Sequence, residues 1–204
     1  MGEHDLKIIL IILCAVIGYL IGSVSVAILL CRAVKHEDVR TKGSCNAGST
    51  NVARVYGMKM GIITFIGDFL KMAVAVGIGY LLLGENGGAI ASMGCLIGHC
   101  WPIFFGFRGG KGVAVSVVIA FFVDWRLALI LIGIFIVAFL LTRRISVGSL
   151  AGALLFTPVL LLLGEKLIMN IVLGILVFVI IWFLHIPNIK RLINHTEGKF
   201  TPGK

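Results

Sequence analysis

The sequence predicts an all-α integral membrane protein of about seven transmembrane helices, with its N-terminus outside and its C-terminus cytoplasmic. Three observations predict it. Hydrophobic residues make up 59% of the 204 and charged residues only 13%, about half the share usual in soluble domains. The apolar residues come in continuous runs rather than in alternation, so the runs are helices and not the strands of a barrel. Finally, the lysines and arginines gather in every second loop, as positive-inside bias requires. At about 20 residues per span the chain is used up by six or seven short helices. It is therefore one transmembrane domain, 1–204, with no soluble domain beside it.

Taken in order, residues 6–30 make a first span, too long for the core of a signal peptide and preceded by Glu3 and Asp5 where a signal would be basic. The longest polar segment, 31–59, follows it, and then a second span, 60–83, interrupted only by Asp68 and Lys71. Charges inside a span are costly unless paired, and these two lie three apart on one helix face. An ion pair is expected there, free to orient a neighbour such as Arg54 or Lys111. Residues 84–88 are a turn, 89–100 a third span ending near Pro102, and 113–123 a short fourth. After a turn at Asp124, Trp125 and Arg126 come a fifth span at 127–141, a basic turn at 142–144, a sixth span at 145–163 and a seventh at 167–184. A basic tail, His185 to Lys204, closes the chain, its short cytoplasmic part beginning at about 189.

Fourteen of the 18 lysines and arginines then fall on the side of the loops after spans one, three, five and seven. The exceptions are Lys7, Arg126 and Lys166 on the opposite side and Lys71 within a span. This places the tail and those loops in the cytoplasm.

The polar loops carry the chemistry. Gly98 to Gly112 sets two cations, Arg108 and Lys111, among glycines, and Gly109-Gly110-Lys111-Gly112 offers N–H groups that can approach an anion just before a helix N-terminus. It is not a nucleotide-binding P-loop, because Phe105 and Gly112 stand where that motif needs Gly and Ser or Thr. The first loop, Gly43 to Arg54, packs Ser44, Asn46, Thr50 and Asn51 with glycines before Arg54, a set of neutral donors and one fork-shaped cation suited to an oxyanion. A plain Ser/Asn turn is the alternative. Ser146 and Ser149 begin span six, where free helix N–H groups favour an anion or where the serines simply cap the helix. His185 and Asn188 flank Pro187 at the end of span seven.

No cofactor and no metal are expected. His99 and His185 sit at helix ends on one side without a Cys-x-x-Cys-His, and the five cysteines are unpatterned. Nor does an Asp stand five residues after any histidine, so no His–Asp pair of that spacing is present. No Ser–His–Asp order or activated Cys announces an acyl-enzyme.

The motifs Gly43-Ser44-x-Asn46-x-Gly48-x-Thr50-Asn51-x-x-Arg54, Asp68-x-x-Lys71, Gly98-His99-x-x-Pro102 through Phe107-Arg108-Gly109-Gly110-Lys111-Gly112-Val113-Ala114, Ser146-x-x-Ser149 and His185-x-x-Asn188 together resemble the bacterial acyl-phosphate:glycerol-3-phosphate acyltransferases. The resemblance runs from span one to Glu197. Cys45 and Ala47 replace the family's usual Gly and Pro, Val115 stands where Thr is common, and Gly148 thins the serine cluster.

The resemblance implies transfer of a fatty acyl group from acyl phosphate to the first hydroxyl of glycerol 3-phosphate, giving lysophosphatidic acid and phosphate at the start of phospholipid synthesis. It implies a multi-pass protein of the bacterial inner membrane whose site faces the cytoplasm. Its partners would be acyl phosphate, glycerol 3-phosphate and membrane lipid, with no nucleic acid and no obligate protein partner.

Among the residues, Lys111, His185, Asn188 and Ser44 would be catalytic. Arg54, Asn46, Thr50, Asn51, Arg108, Gly109, Gly110, Gly112, Ser146 and Ser149 would bind substrate. The acceptor of the hydroxyl proton would be the glycerol phosphate itself, with His185 second and His99 third. An anion transporter is the rival reading, though it should show internal repeats and broken helices at the bilayer midplane.

Overall fold

The structure, a computed structural model, describes residues 2–203 and contains helices and loops but no strand among them. The chain opens with α1 (Glu3–Gly22) and, after a break at Ser23 to Ser25, α2 (Val26–Lys35). A short α3 (Ser49–Tyr56) leads into the 43-residue α4 (Met58–Cys100). Then come α5 (Val113–Val123), α6 (Trp125–Thr142), α7 (Ile145–Leu162), α8 (Ile168–Leu184) and α9 (Ile186–Ile193), which leaves α8 at 58°. Four of these stretches are long and apolar enough to cross a membrane, or five with α8 and α9 taken as one bent span.

The long α4 is not straight. Leu83 and Gly84 leave helical geometry, with Gly84 at φ 59° and ψ −147°, a region open only to glycine. Gly79 and Gly87 then meet backbone to backbone, so a Cβ on either would overlap the other's carbonyl. In a continuous helix they would stand about 12 Å apart. The segment is therefore a hairpin, and the turn expected at 84–88 lies at its tip.

Two pairs of glycines seat the second arm of this hairpin on α1. A Cβ on Gly18 or Gly22 would overlap the carbonyls of Ala91 and Cys95, and one on Gly94 or Gly98 would overlap those of Ala15 and Tyr19. Each helix thus presents glycines four apart to the other, which lets their backbones touch where lipid supplies no hydrophobic drive. The pairing is parallel, since 18 meets 91 and 22 meets 95. The start of α1 consequently lies at the opposite end of the bundle from the His99 end of α4.

The second arm of α4 packs with α5, α7 and α8 around Leu96, Ile119, Phe156, Leu160, Leu173 and Ile181. Only 11% of α6 is buried, and it covers α5 and α7 from outside. With 11 residues α5 is about 16 Å long, roughly half a hydrocarbon core. The bundle encloses a space at the end where α3, α5 and α7 begin, α4 and α8 end and α9 turns away.

Candidate active site

That space is a cavity of about 920 Å³ with a polar mouth and an apolar interior. The mouth gathers the N-terminal ends of α3, α5 and α7, so three sets of unpaired helix N–H groups border it. The cations Arg54, Lys111, Arg191 and Lys199 also line it.

The first loop is built around Asn51, which is 1% exposed. Its Oδ1 accepts from the Ser44 N–H at 2.8 Å, and its Nδ2 donates to the carbonyls of Val39, Lys42 and Asn46 at 3.0 to 3.1 Å. All of its bonding is spent on the loop, so Asn51 shapes the site from within. The loop in turn presents Ser44, Asn46, Thr50 and Arg54 to the cavity. Thr50 and Arg54, four apart on α3, share a face. Arg54 lies over the Phe200 ring at 6.0 Å and forms no ion pair among the described residues.

The glycine-rich loop works differently from a phosphate cradle. The N–H groups of Gly109 and Gly110 donate to the carbonyls of Cys100 and His99 at 3.1 and 3.0 Å. A Cβ on Gly110 would overlap His99 Nε2, and one on Gly109 the His99 carbonyl. Glycine is needed so that the loop can lie flat on the end of α4. Neither residue lines the cavity, and their amides are not free for an anion. Arg108 is exposed and its carbonyl accepts from Arg40 at 3.0 Å, so it too stays out of the cavity. What the loop delivers is Lys111 and Gly112, the latter at φ +84° capping α5.

Lys111 Nζ donates to Asn188 Oδ1. Burial, and then the charges of Arg191 and Arg54, pull its pKa down to about 8 against the opposing pull of Glu197. On the far side of Asn188, Nδ2 donates to Glu197 Oε1 at 2.7 Å. The same oxygen accepts from Ser146 Oγ at 2.7 Å, while Arg191 Nε donates to Oε2 at 2.6 Å. Burial pushes the Glu197 carboxyl up, but the hydrogen bonds from Asn188, Ser146 and Arg191 outweigh it and hold the pKa below its ordinary value.

Ser146 therefore does not cap α7, whose N-cap is Arg144; its hydroxyl is engaged by Glu197. Ser149 lines the cavity but donates to the Ile145 carbonyl at 3.0 Å, within its own helix.

His185 stands at the α8–α9 bend and is buried. Its Nδ1 is 2.8 Å from the Ile181 carbonyl, which can only accept, so Nδ1 carries the proton and Nε2 is left as an acceptor. Burial and the nearby Lys111 charge lower its pKa to about 4. The imidazole is neutral at pH 7.

Below the mouth, Asp68 and Lys71 do pair, Nζ to Oδ1 at 3.0 Å. The expected neighbours Arg54 and Lys111 are not the ones engaged. Lys71 also donates to the Gly22 and Val24 carbonyls at 3.0 and 2.8 Å, closing the α1–α2 break, and His99 Nδ1 lies 3.5 Å from Asp68 Oδ1. A buried charge pair thus ties α1, both arms of α4 and, through His99, the glycine-rich loop.

Beyond Asn188 the sequence assigns the tail no expected role other than its basic charge. Thr196 to Phe200 in fact line the cavity, the Phe200 N–H donates to the Arg143 carbonyl at 2.8 Å, and that of Gly203 to the Ala53 carbonyl at 3.0 Å. Glu197, the lone acid between Arg191 and Lys199, was the available signal.

Three helix N-termini and a ring of cations and hydroxyls at the mouth of an apolar cavity define a membrane protein built to hold an anionic headgroup above a greasy chain. Residues 12–195 match the family model described as glycerol-3-phosphate acyltransferase. The chain belongs to that family. The glycerol-3-phosphate acyltransferase of Thermoanaerobacter pseudethanolicus is 40% identical over 92% of this chain and 94% of its own. That of Finegoldia magna is 35% identical over 93% and 96%. Among solved structures, PlsY, an integral membrane glycerol 3-phosphate acyltransferase, is 30% identical in its glycerol 3-phosphate form. It superposes with a TM-score of 0.88 over 94% of this chain and 96% of its own. Its lysophosphatidic acid form is 28% identical with a TM-score of 0.85.

Proposed function

We propose that this protein is the acyltransferase that makes lysophosphatidic acid from acyl phosphate and glycerol 3-phosphate at the cytoplasmic face of a bacterial inner membrane. The observation that carries this reading is the single cavity whose cationic mouth adjoins an apolar interior. Acyl phosphate and lysophosphatidic acid are both an acyl chain ending in phosphate, and each fits such a cavity lengthwise. Relatives named for the activity, and a similar structure with forms named for glycerol 3-phosphate and lysophosphatidic acid, support it. Purified protein in lipid should form lysophosphatidic acid from glycerol 3-phosphate when given acyl phosphate, and not when given acyl-CoA. Activity with acyl-CoA alone would reject the donor.

In this reading Arg54, Lys111, Ser44 and Thr50 hold phosphate at the mouth, while Ser146, Asn188 and His185 orient the glycerol. The glycerol hydroxyl attacks the acyl carbonyl, an ester C–O bond forms, and the bond to the phosphate oxygen breaks. The hydroxyl proton passes to the phosphate of glycerol 3-phosphate, and His185 Nε2 orients the glycerol by accepting a hydrogen bond from its other hydroxyl.

This assignment predicts the pH profile. The acidic limb of kcat/KM should fall near pH 6, where a phosphate monoester loses its dianion, and not near pH 4 where His185 titrates. The basic limb should fall near pH 8 as Lys111, charged below that value, loses its proton. Rate against pH for wild type, His185→Ala and a phosphonate analogue of glycerol phosphate checks this. A limb near pH 6 that His185→Ala abolishes would make His185 the base.

The seven-span topology, N-terminus outside, is supported by the opposite placement of the α1 start and the tail and by the basic loops beside the mouth. A reporter fused after Lys204 should read as cytoplasmic and one fused before Glu3 as external. An N-terminal reporter on the cytoplasmic side would sink the topology.

A further inference from the structure

We infer that Phe156 is the floor of the acyl site and sets the longest chain the protein transfers efficiently. The inference rests on the acyl-donor reading above. Down α7 from the mouth, Ser149, Gly152, Ala153 and Phe156 line the cavity in turn. The side chains shrink and then abruptly grow. Ala120 of α5 and Ala128 of α6 also line the cavity, so small side chains on three helices leave room for a chain, and Phe156 is the last residue of α7 to border it.

The ring is 1% exposed and lies against α8, where a Cβ on Gly174 would come within 3.0 Å of its Cδ1. Beneath it Leu127, Leu160 and Leu173 are fully buried and belong to the packed core, not to the cavity. Phe156 thus has no empty space to swing into, and a chain that reaches it must stop or distort the bundle. From Ser146 to Phe156 is ten residues, a depth of about 15 Å along α7.

Above the floor each further methylene leaves lipid for an equally apolar wall, so chain length should change efficiency little. At the floor a further methylene must distort the bundle. The efficiency of acyl phosphates plotted against chain length should therefore hold and then fall, and the break should move with the side chain at 156.

The test compares kcat/KM for a series of saturated acyl phosphates of increasing length, with glycerol 3-phosphate held constant, for wild type, Phe156→Leu, Phe156→Ala and Ala153→Leu. The ratio of the longest to the shortest donor should rise about tenfold or more in Phe156→Ala and less in Phe156→Leu. In Ala153→Leu, which fills the path one turn above the floor, it should fall by a similar factor. If Phe156→Ala does not fold, the opposed shifts of the other two variants decide. An active wild type whose length profile none of the variants moves overturns the inference, and shows the chain leaving sideways into lipid. A wild type that turns over no acyl phosphate but accepts another acyl donor rejects the donor reading instead, and the same length series on that donor still decides the floor.

Discussion

Changing Lys111 to alanine is expected to lower kcat/KM by roughly 30- to 1000-fold, about 2 to 4 kcal/mol of transition-state stabilisation, with the fold intact. The ammonium is held in place before substrate arrives: Gly112 caps α5 just behind it, and Asn188 Oδ1 accepts a hydrogen bond from it. In the proposed reaction it would meet the departing phosphate without reorganising, and its charge is worth more in this half-buried setting than in water. Lys111→Arg should keep part of the activity and carry the basic limb of the pH profile above pH 8, because a guanidinium does not titrate there. Steady-state kinetics on well-folded samples check both. Near-wild-type turnover by Lys111→Ala would return the loop to a signal of topology.

Asp68→Ala should act on stability instead, costing about 3 to 5 kcal/mol, the usual penalty for leaving one buried charge without its partner. Lys71 would keep the Gly22 and Val24 carbonyls but lose its only anion among the described residues, and His99 would lose the carboxylate beside it. Since Gly110 lies on the His99 ring, the glycine-rich loop should loosen as well. Thermal unfolding in detergent measures the first effect. Asp68→Asn, which keeps the shape, should unfold at a temperature between wild type and Asp68→Ala. A variant Asp68→Ala as stable as wild type would mean that the charges are solvated and not paired.

The helices and the loops of interest were legible because their signals are local. Continuous apolar runs gave the spans, Gly84 to Gly88 gave the hairpin tip, and dense polar side chains between spans marked the mouth. Local signals mislead where geometry is set by a partner far away in the chain. Gly109 and Gly110 read as an anion cradle because glycine frees backbone N–H groups, but here it serves the opposite end, close contact with His99. Arg108 is expected to bind substrate by the resemblance, yet it is exposed and outside the cavity that Lys111 lines. The glycine pairs of α1 and α4 are spaced four apart in both helices, a pattern visible in the sequence, yet nothing local says that they face each other. The tail was hardest. A basic terminus after the last span is the ordinary sign of a cytoplasmic end, and Glu197 gains its meaning only when Ser146, Asn188 and Arg191 converge on it.

Direct transfer between two substrates gathered at one mouth is the claim on which the rest depends, and a rapid-mixing experiment tests it most directly. Protein in lipid bilayers is mixed with acyl phosphate in the presence or absence of glycerol 3-phosphate, and phosphate and lysophosphatidic acid are followed together. Because direct transfer forms no acyl-enzyme, no burst of phosphate should appear until glycerol 3-phosphate is added, and thereafter one phosphate should accompany each lysophosphatidic acid. A burst equal to the amount of protein without glycerol 3-phosphate would reveal an acyl-enzyme and contradict direct transfer.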